Sequence, residues 1–131
     1  MIDIFFWLFM FLGMLLIPGI MIFFGSKFQN EAPKNINWAY GYRSERSMKN
    51  RDTWVFAHKC IGGLWKSWGI ALAPVSIIPM LFVLGKDVET VGNLCIALMV
   101  VQLVFLIFPI FIVESRLKKT FDKYGRRKTR E

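Results

Sequence analysis

Charged and apolar residues segregate sharply along the chain. Ile4 to Ser26 is an uncharged run of 23 residues, rising about 34 Å as a helix, enough to cover a hydrocarbon core of about 30 Å. A second run, about Ile61 to Gly85, carries only Lys66, close enough to its start to snorkel to the headgroups. A third, Thr90 to Val113, has 24 residues and no charge. The pattern predicts an all-α membrane protein with three transmembrane helices (4–26, 61–85 and 90–113), a structured loop at 27–60 and a basic tail at 114–131, forming one membrane domain. Asp3 before the first run and Gly25-Ser26-Lys27 after it do not match a signal peptide, so this span is expected in the mature protein.

Within the spans, prolines and polar residues mark expected special points. Pro18-Gly19 predicts a kink in the first, and Pro74 and Pro79 predict a bend or locally unwound turn in the second. Gln102 is the strongest hydrogen-bonding side chain at mid-depth in the third and is expected at a helix–helix contact. Gly62-Gly63 predicts close approach of a second backbone. Lys86 to Glu89 can only be a tight hairpin, making the second and third spans antiparallel neighbours.

The segment between the first two spans begins irregularly at Asn30, Pro33, Asn35 and Asn37, then reads as a helix capped by Ser47 or Asn50. From there Trp54, His58, Ile61, Trp65 and Trp68 fall on one helical face. In the tail, the spacing of Leu117, Phe121 and Tyr124 predicts a short amphipathic helix on the membrane surface, ended by Gly125, with Arg126, Arg127, Lys128 and Arg130 attracting anionic lipid.

Composition changes this picture only through charge. The chain of 131 residues is 55% apolar and carries a formal charge of +8. Seven cations lie in the 27–60 loop, one in the hairpin and eight in the tail, so the positive-inside rule places loop and tail in the cytoplasm and the amino terminus outside. Cys60 and Cys95 fall toward opposite faces and are expected to pack as thiols, not to bridge. No stacking platform accompanies the basic tail, so no nucleic-acid partner is expected.

Gly41 to Asn50, GYRSERSMKN, is the densest polar block and the candidate site. No nucleotide-binding loop, zinc-binding helix motif or serine-nucleophile elbow occurs, no carboxylate lies within a span, and no catalytic residue, metal ligand or cofactor is assigned. Arg43 and Arg46, three residues apart, can form paired bonds with phosphate or carboxylate. Glu45 and Asp52 could instead occupy them, which would leave a loop tied by its own salt bridges. Trp38, Tyr40 and Tyr42 supply an aromatic belt at the same level.

Pro33, Ile36, Asn37, Gly41 and Arg43, followed by Arg46-Ser47-Met48-Lys49-Asn50 and Trp54, resemble the SdpI family of bacterial membrane proteins. The resemblance covers roughly residues 33 to 65. It implies a multi-pass protein of the bacterial inner membrane without a known enzymatic activity, and immunity against a membrane-active toxin peptide or related envelope signalling. The resemblance does not say what the loop binds; from the residues themselves, Arg43 and Arg46, positioned by Asn37, Gly41 and Asn50 and with Tyr42 and Ser47 in the same block, are expected to bind an anionic group on a lipid, a toxin peptide or an acidic protein, beside a wall of Trp54 and His58. Homodimerisation is compatible with so small a bundle. Two other readings use the same chain: a lipid- or peptide-processing enzyme with His58 as acid or base, and a holin-like structural protein.

Overall fold

The computed structural model describes residues 2–37, 39 and 41–128. Trp38 and Tyr40 of the expected belt, and Arg130 of the expected tail, lie outside the described residues. The elements in order are α1 (Ile2–Met14), α2 (Leu16–Asn30), α3 (Arg51–Phe82) and α4 (Val88–Thr120), with no strand among the described residues beyond an isolated bridge between Phe121 and Arg127. Three helical stretches, Asp3–Asn30, Arg51–Phe82 and Val88–Thr120, are long and apolar enough to cross a membrane. Phe5, Phe9, Phe23, Phe82, Ile96 and Phe111 are exposed along them, as lipid-facing side chains would be.

The first span is one helix with a slip at Leu15, which stays right-handed at φ −84°, ψ −14°. Pro18 has no amide to give the carbonyl of Met14. Gln102 fills the gap, its Nε2 donating to that carbonyl at 2.7 Å and to Ser76 Oγ at 2.9 Å. One side chain from the middle of α4 therefore ties all three spans together at the level of the proline kink. Its Oε1 is buried and has no hydrogen-bond partner among the described residues.

The second span begins earlier than hydropathy alone suggests, because Asn50 caps α3 within the polar segment. Asn50 Oδ1 accepts the Thr53 amide at 2.9 Å and Thr53 Oγ1 accepts the Asn50 amide at 3.1 Å, a reciprocal capping box. From Arg51 the helix continues through Pro74 and Pro79 to Phe82. Trp7 Nε1 donates to the carbonyl of Met80, in the last turn of α3, at 2.7 Å.

Helices α2 and α3 touch backbone to backbone. A Cβ on Gly25 would stand 2.8 Å from the Gly62 carbonyl, and one on Gly62 would stand 2.7 Å from the Gly25 carbonyl, so neither position has room for a side chain. A Cβ on Gly63 would meet only Gln29 Nε2 of α2, at 3.6 Å, so that position has room for a side chain. Two apolar clusters result. One gathers Phe28, Tyr42, Ala57, Ile61, Val113, Leu117 and Phe121 at the polar end, and the other gathers Trp7, Met14, Met80, Val91, Cys95 and Leu98 toward the far end. Cys60 borders the first and Cys95 belongs to the second, both as free thiols.

The tail does not form the expected surface helix. After Thr120 the backbone turns extended at Phe121 (φ −121°, ψ 149°), and Lys128 donates back to the Thr120 carbonyl at 2.9 Å. Gly125 makes the reversal at φ +79°, and Asp122 Oδ1 accepts the amides of Tyr124 and Arg126 at 2.9 and 3.0 Å. The Arg126 amide is the chief reason the Asp122 carboxyl is held below its usual range. Leu117 and Phe121 are thus buried against the protein, and only Tyr124 of the expected stripe is exposed. The amphipathic spacing was real, but the apolar face packs on α3 and its neighbours, not on lipid.

Candidate functional site

Gly41 lets the loop press onto α3. Its φ of +108° is left-handed, and a Cβ there would stand 2.6 Å from His58 Nε2 and 3.3 Å from the Trp54 ring. With that space open, the Tyr42 amide donates to His58 Nε2 at 2.8 Å, while His58 Nδ1 lies 2.8 Å from the Trp54 carbonyl. A backbone amide can only donate and a carbonyl only accept, so the tautomer is fixed: Nδ1 carries the proton and Nε2 the lone pair. Neither nitrogen remains available for acid–base work. The ring is fully buried, edge-on to Phe28 at 4.9 Å between centroids and tilted against Trp54 at 4.2 Å.

Trp54 Nε1 reaches back to the Pro33 carbonyl at 2.9 Å, and Arg51 Nη1 donates to the same carbonyl at 2.8 Å. Asn37 forms a local turn, its Oδ1 accepting the Ala39 amide at 3.0 Å and its Nδ2 donating to the Asn35 carbonyl at 2.9 Å. Trp54 and His58, expected in the wall of the site, therefore lie behind it. They are fully buried and hold the loop up from below.

A second anchor comes from α4. Glu114 Oε2 accepts from the Tyr42 hydroxyl at 2.6 Å and from Ser44 Oγ at 3.0 Å. Burial first, and then this bond to the carboxylate, push the Tyr42 phenol far above its ordinary range. Ser47 is fully buried; its Oγ accepts the Ser44 amide at 2.9 Å and can donate to the Tyr42 carbonyl at 3.1 Å. Asn50, besides capping α3, donates from Nδ2 to the Gly125 carbonyl at 2.7 Å, locking the tail turn beneath the loop.

The result is a rigid ledge with its charges turned outward. Arg43 and Arg46 are both exposed. Of the expected acids, Glu45 lies 3.9 Å from Lys49, and Asp52 makes a two-pronged bond with Arg127 at 2.8 and 2.9 Å. A pocket of about 150 Å³ is lined by Glu45, Arg46, Lys49 and Lys123. Arg46 is thereby joined with Lys49, one turn along the chain, and with Lys123, brought up by the tail reversal. Sequence reasoning missed Glu114, which looked like the first residue of the tail, and Lys123, whose approach depends on a turn that helical periodicity hid. Lys49 could have been found from its spacing of three from Arg46. Among the described residues no group of three or more histidine, cysteine, aspartate or glutamate side chains is placed to hold a metal ion.

A model of the SdpI/YfhL protein family matches residues 34–113, which take in the loop, α3 and most of α4. The chain belongs to the SdpI/YfhL family. It is also 29% identical over 100 residues to the uncharacterized protein YfhL of Bacillus subtilis (strain 168), covering 76% of this chain and 81% of that relative. No solved structure matches it. Membership joins the three apolar helices in marking a multi-pass membrane protein, and the matched region holds the entire loop from Lys34 to Asn50 and its anchor at His58. The first span and the tail turn lie outside it.

Proposed function

We propose that this SdpI-like protein resides in a bacterial inner membrane with its amino terminus outside and its loop and tail in the cytoplasm. There it protects the cell from a membrane-active toxin peptide or relays the associated envelope stress. The loop acts as an anion receptor: Arg43 and Arg46, joined by Lys49 and Lys123, take a carboxylate or phosphate from an approaching peptide, lipid or acidic protein. The observation that carries this reading is the pocket where Arg46, Lys49 and Lys123 converge against one carboxylate among the described residues, the largely exposed Glu45. Three cations held close by a rigid backbone repel one another, and an incoming anion relieves that repulsion.

An enzymatic role for His58 has less support, since both ring nitrogens are engaged by backbone groups. The test is survival of cells expressing the chain when challenged with a membrane-active peptide. Replacing Arg46, Lys49 and Lys123 together with glutamine should abolish protection while membrane insertion is unchanged; full protection by this variant would overturn the assignment. Orientation is tested with Ser44→Cys in a background of Cys60→Ala and Cys95→Ala, where labelling by an impermeant external thiol reagent would refute a cytoplasmic loop.

A further inference from the structure

A second basic site lies on a different face of α3. Asp52, Val55, Phe56, Lys59 and Cys60 recur at helical spacing along one side of the helix, and with Arg116 of α4 and Arg127 of the tail they line a groove of about 550 Å³. Three cations in it face one carboxylate, Asp52. That carboxylate is already committed, since Arg127 grips it with Nε and Nη2. The Arg127 guanidinium is further held over the rings of Phe121 and Phe56, at 5.0 and 5.9 Å from their centroids. Lys59 and Arg116 are left as two exposed cations, and among the described residues no second carboxylate lines the groove. Arg116 Nη1 lies 3.2 Å from Cys60 Sγ, a weak acceptor that does not neutralise it.

The groove's position says what it fits. Lys59 is eight residues into α3, about 12 Å along the axis, and Arg116 is four residues from the end of α4, about 6 Å. Both lie at the polar end of the bundle, where headgroups meet the protein, and Val55 and Phe56 give the groove apolar walls. We propose that it is a binding site for the headgroup of an anionic phospholipid, whose phosphodiester lies between Lys59 and Arg116 while Arg127, pinned by Asp52, closes the outer rim. This is separate from the loop receptor, and it uses none of the same cations.

The full-length protein in detergent is titrated with dioleoylphosphatidylglycerol or dioleoylphosphatidylcholine, and retained lipid is counted by native mass spectrometry. Wild type should keep one phosphatidylglycerol in preference to phosphatidylcholine. With each cation worth about fivefold, Lys59→Gln with Arg116→Gln should reduce that preference on the order of 25-fold. The charge-preserving pair Lys59→Arg with Arg116→Lys should retain it, which separates loss of charge from loss of structure. Lys118→Gln with Lys119→Gln, two exposed cations that line neither the groove nor the loop pocket, should leave it unchanged. Equal retention of both lipids by wild type, or persistent preference in the glutamine pair, would overturn the site. So would a drop in the Lys118/Lys119 variant as large as in the glutamine pair, or displacement of phosphatidylglycerol by equimolar inorganic phosphate.

Discussion

The Tyr42 amide donates to Nε2 of His58 across sixteen residues of sequence, at 2.8 Å, and the loop's exposed cations are carried on that bond. His58→Leu removes the acceptor and leaves a buried amide unpaired, which costs about 1–3 kcal/mol. The expected result is a lower unfolding temperature in detergent and faster hydrogen exchange at the Tyr42 amide. His58→Gln, which offers an acceptor of its own, should recover part of both. Unchanged exchange in the leucine variant would show that the histidine does not hold the loop.

Glu114 should behave as the second anchor. Bonds to a charged acceptor contribute about 1.5–3 kcal/mol, and Glu114→Ala breaks two of them, to Tyr42 and Ser44. Thermal unfolding should register the loss. Tyr42→Phe should cost less, because Ser44 still satisfies the carboxylate.

Alkaline pH gives an independent check on the same contact. The folded Tyr42 phenol is raised above its unfolded value of about 10. A raised group contributes stability that is complete below the unfolded value and fades as pH climbs above it. Stability should therefore begin to fall near pH 10. In a tyrosinate absorbance titration of the folded protein, Tyr42→Phe should leave the signal near pH 10 unchanged; a signal that shrinks in this variant would contradict the burial of Tyr42.

The glycine seam can be tested by contrast between neighbours. Gly62→Ala places a Cβ 2.7 Å from the Gly25 carbonyl and against Gln29, so α2 and α3 must separate, at about 1–3 kcal/mol. Gly63→Ala meets only Gln29 Nε2, at 3.6 Å, and should be neutral or slightly stabilising because alanine is the better helix former. Similar unfolding temperatures for the two variants would place the helix contact elsewhere.

These contacts also show what one sequence reveals. The three spans were legible because lipid demands long uncharged runs, and the helical face of Trp54, His58 and Ile61 because burial follows a 3.6-residue period. Local rules also gave Asn50 as a possible cap and Gly62 as a point of close approach. Residues joined only by tertiary geometry were not legible. Arg127 meets Asp52 seventy-five positions away, and the tail can reach it only because Gly125 turns left-handed and Asp122 collects two amides. Helical spacing at Leu117 and Phe121 concealed that reversal, since an apolar pair four residues apart satisfies a membrane surface and a protein core equally well.

Pro18 and Gln102 provide a prediction that neither residue would give alone. The proline strips the Met14 carbonyl of its helical amide, and the glutamine supplies the missing donor from another span. Gln102→Leu in the native background orphans that carbonyl and Ser76 Oγ, for about 1 kcal/mol by the scale of interhelical bonds in membranes. Pro18→Ala restores an amide to Met14, so Gln102→Leu should then cost distinctly less. The two substitutions must be non-additive, with a coupling on the order of 0.5–1 kcal/mol read from a double-mutant cycle of unfolding in detergent. Additive effects would mean that Gln102 is present for Ser76 and not for the carbonyl the proline exposes. Gln102→Met keeps the unbranched shape and removes the donor together with an Oε1 that has no partner among the described residues, so its cost should match that of leucine.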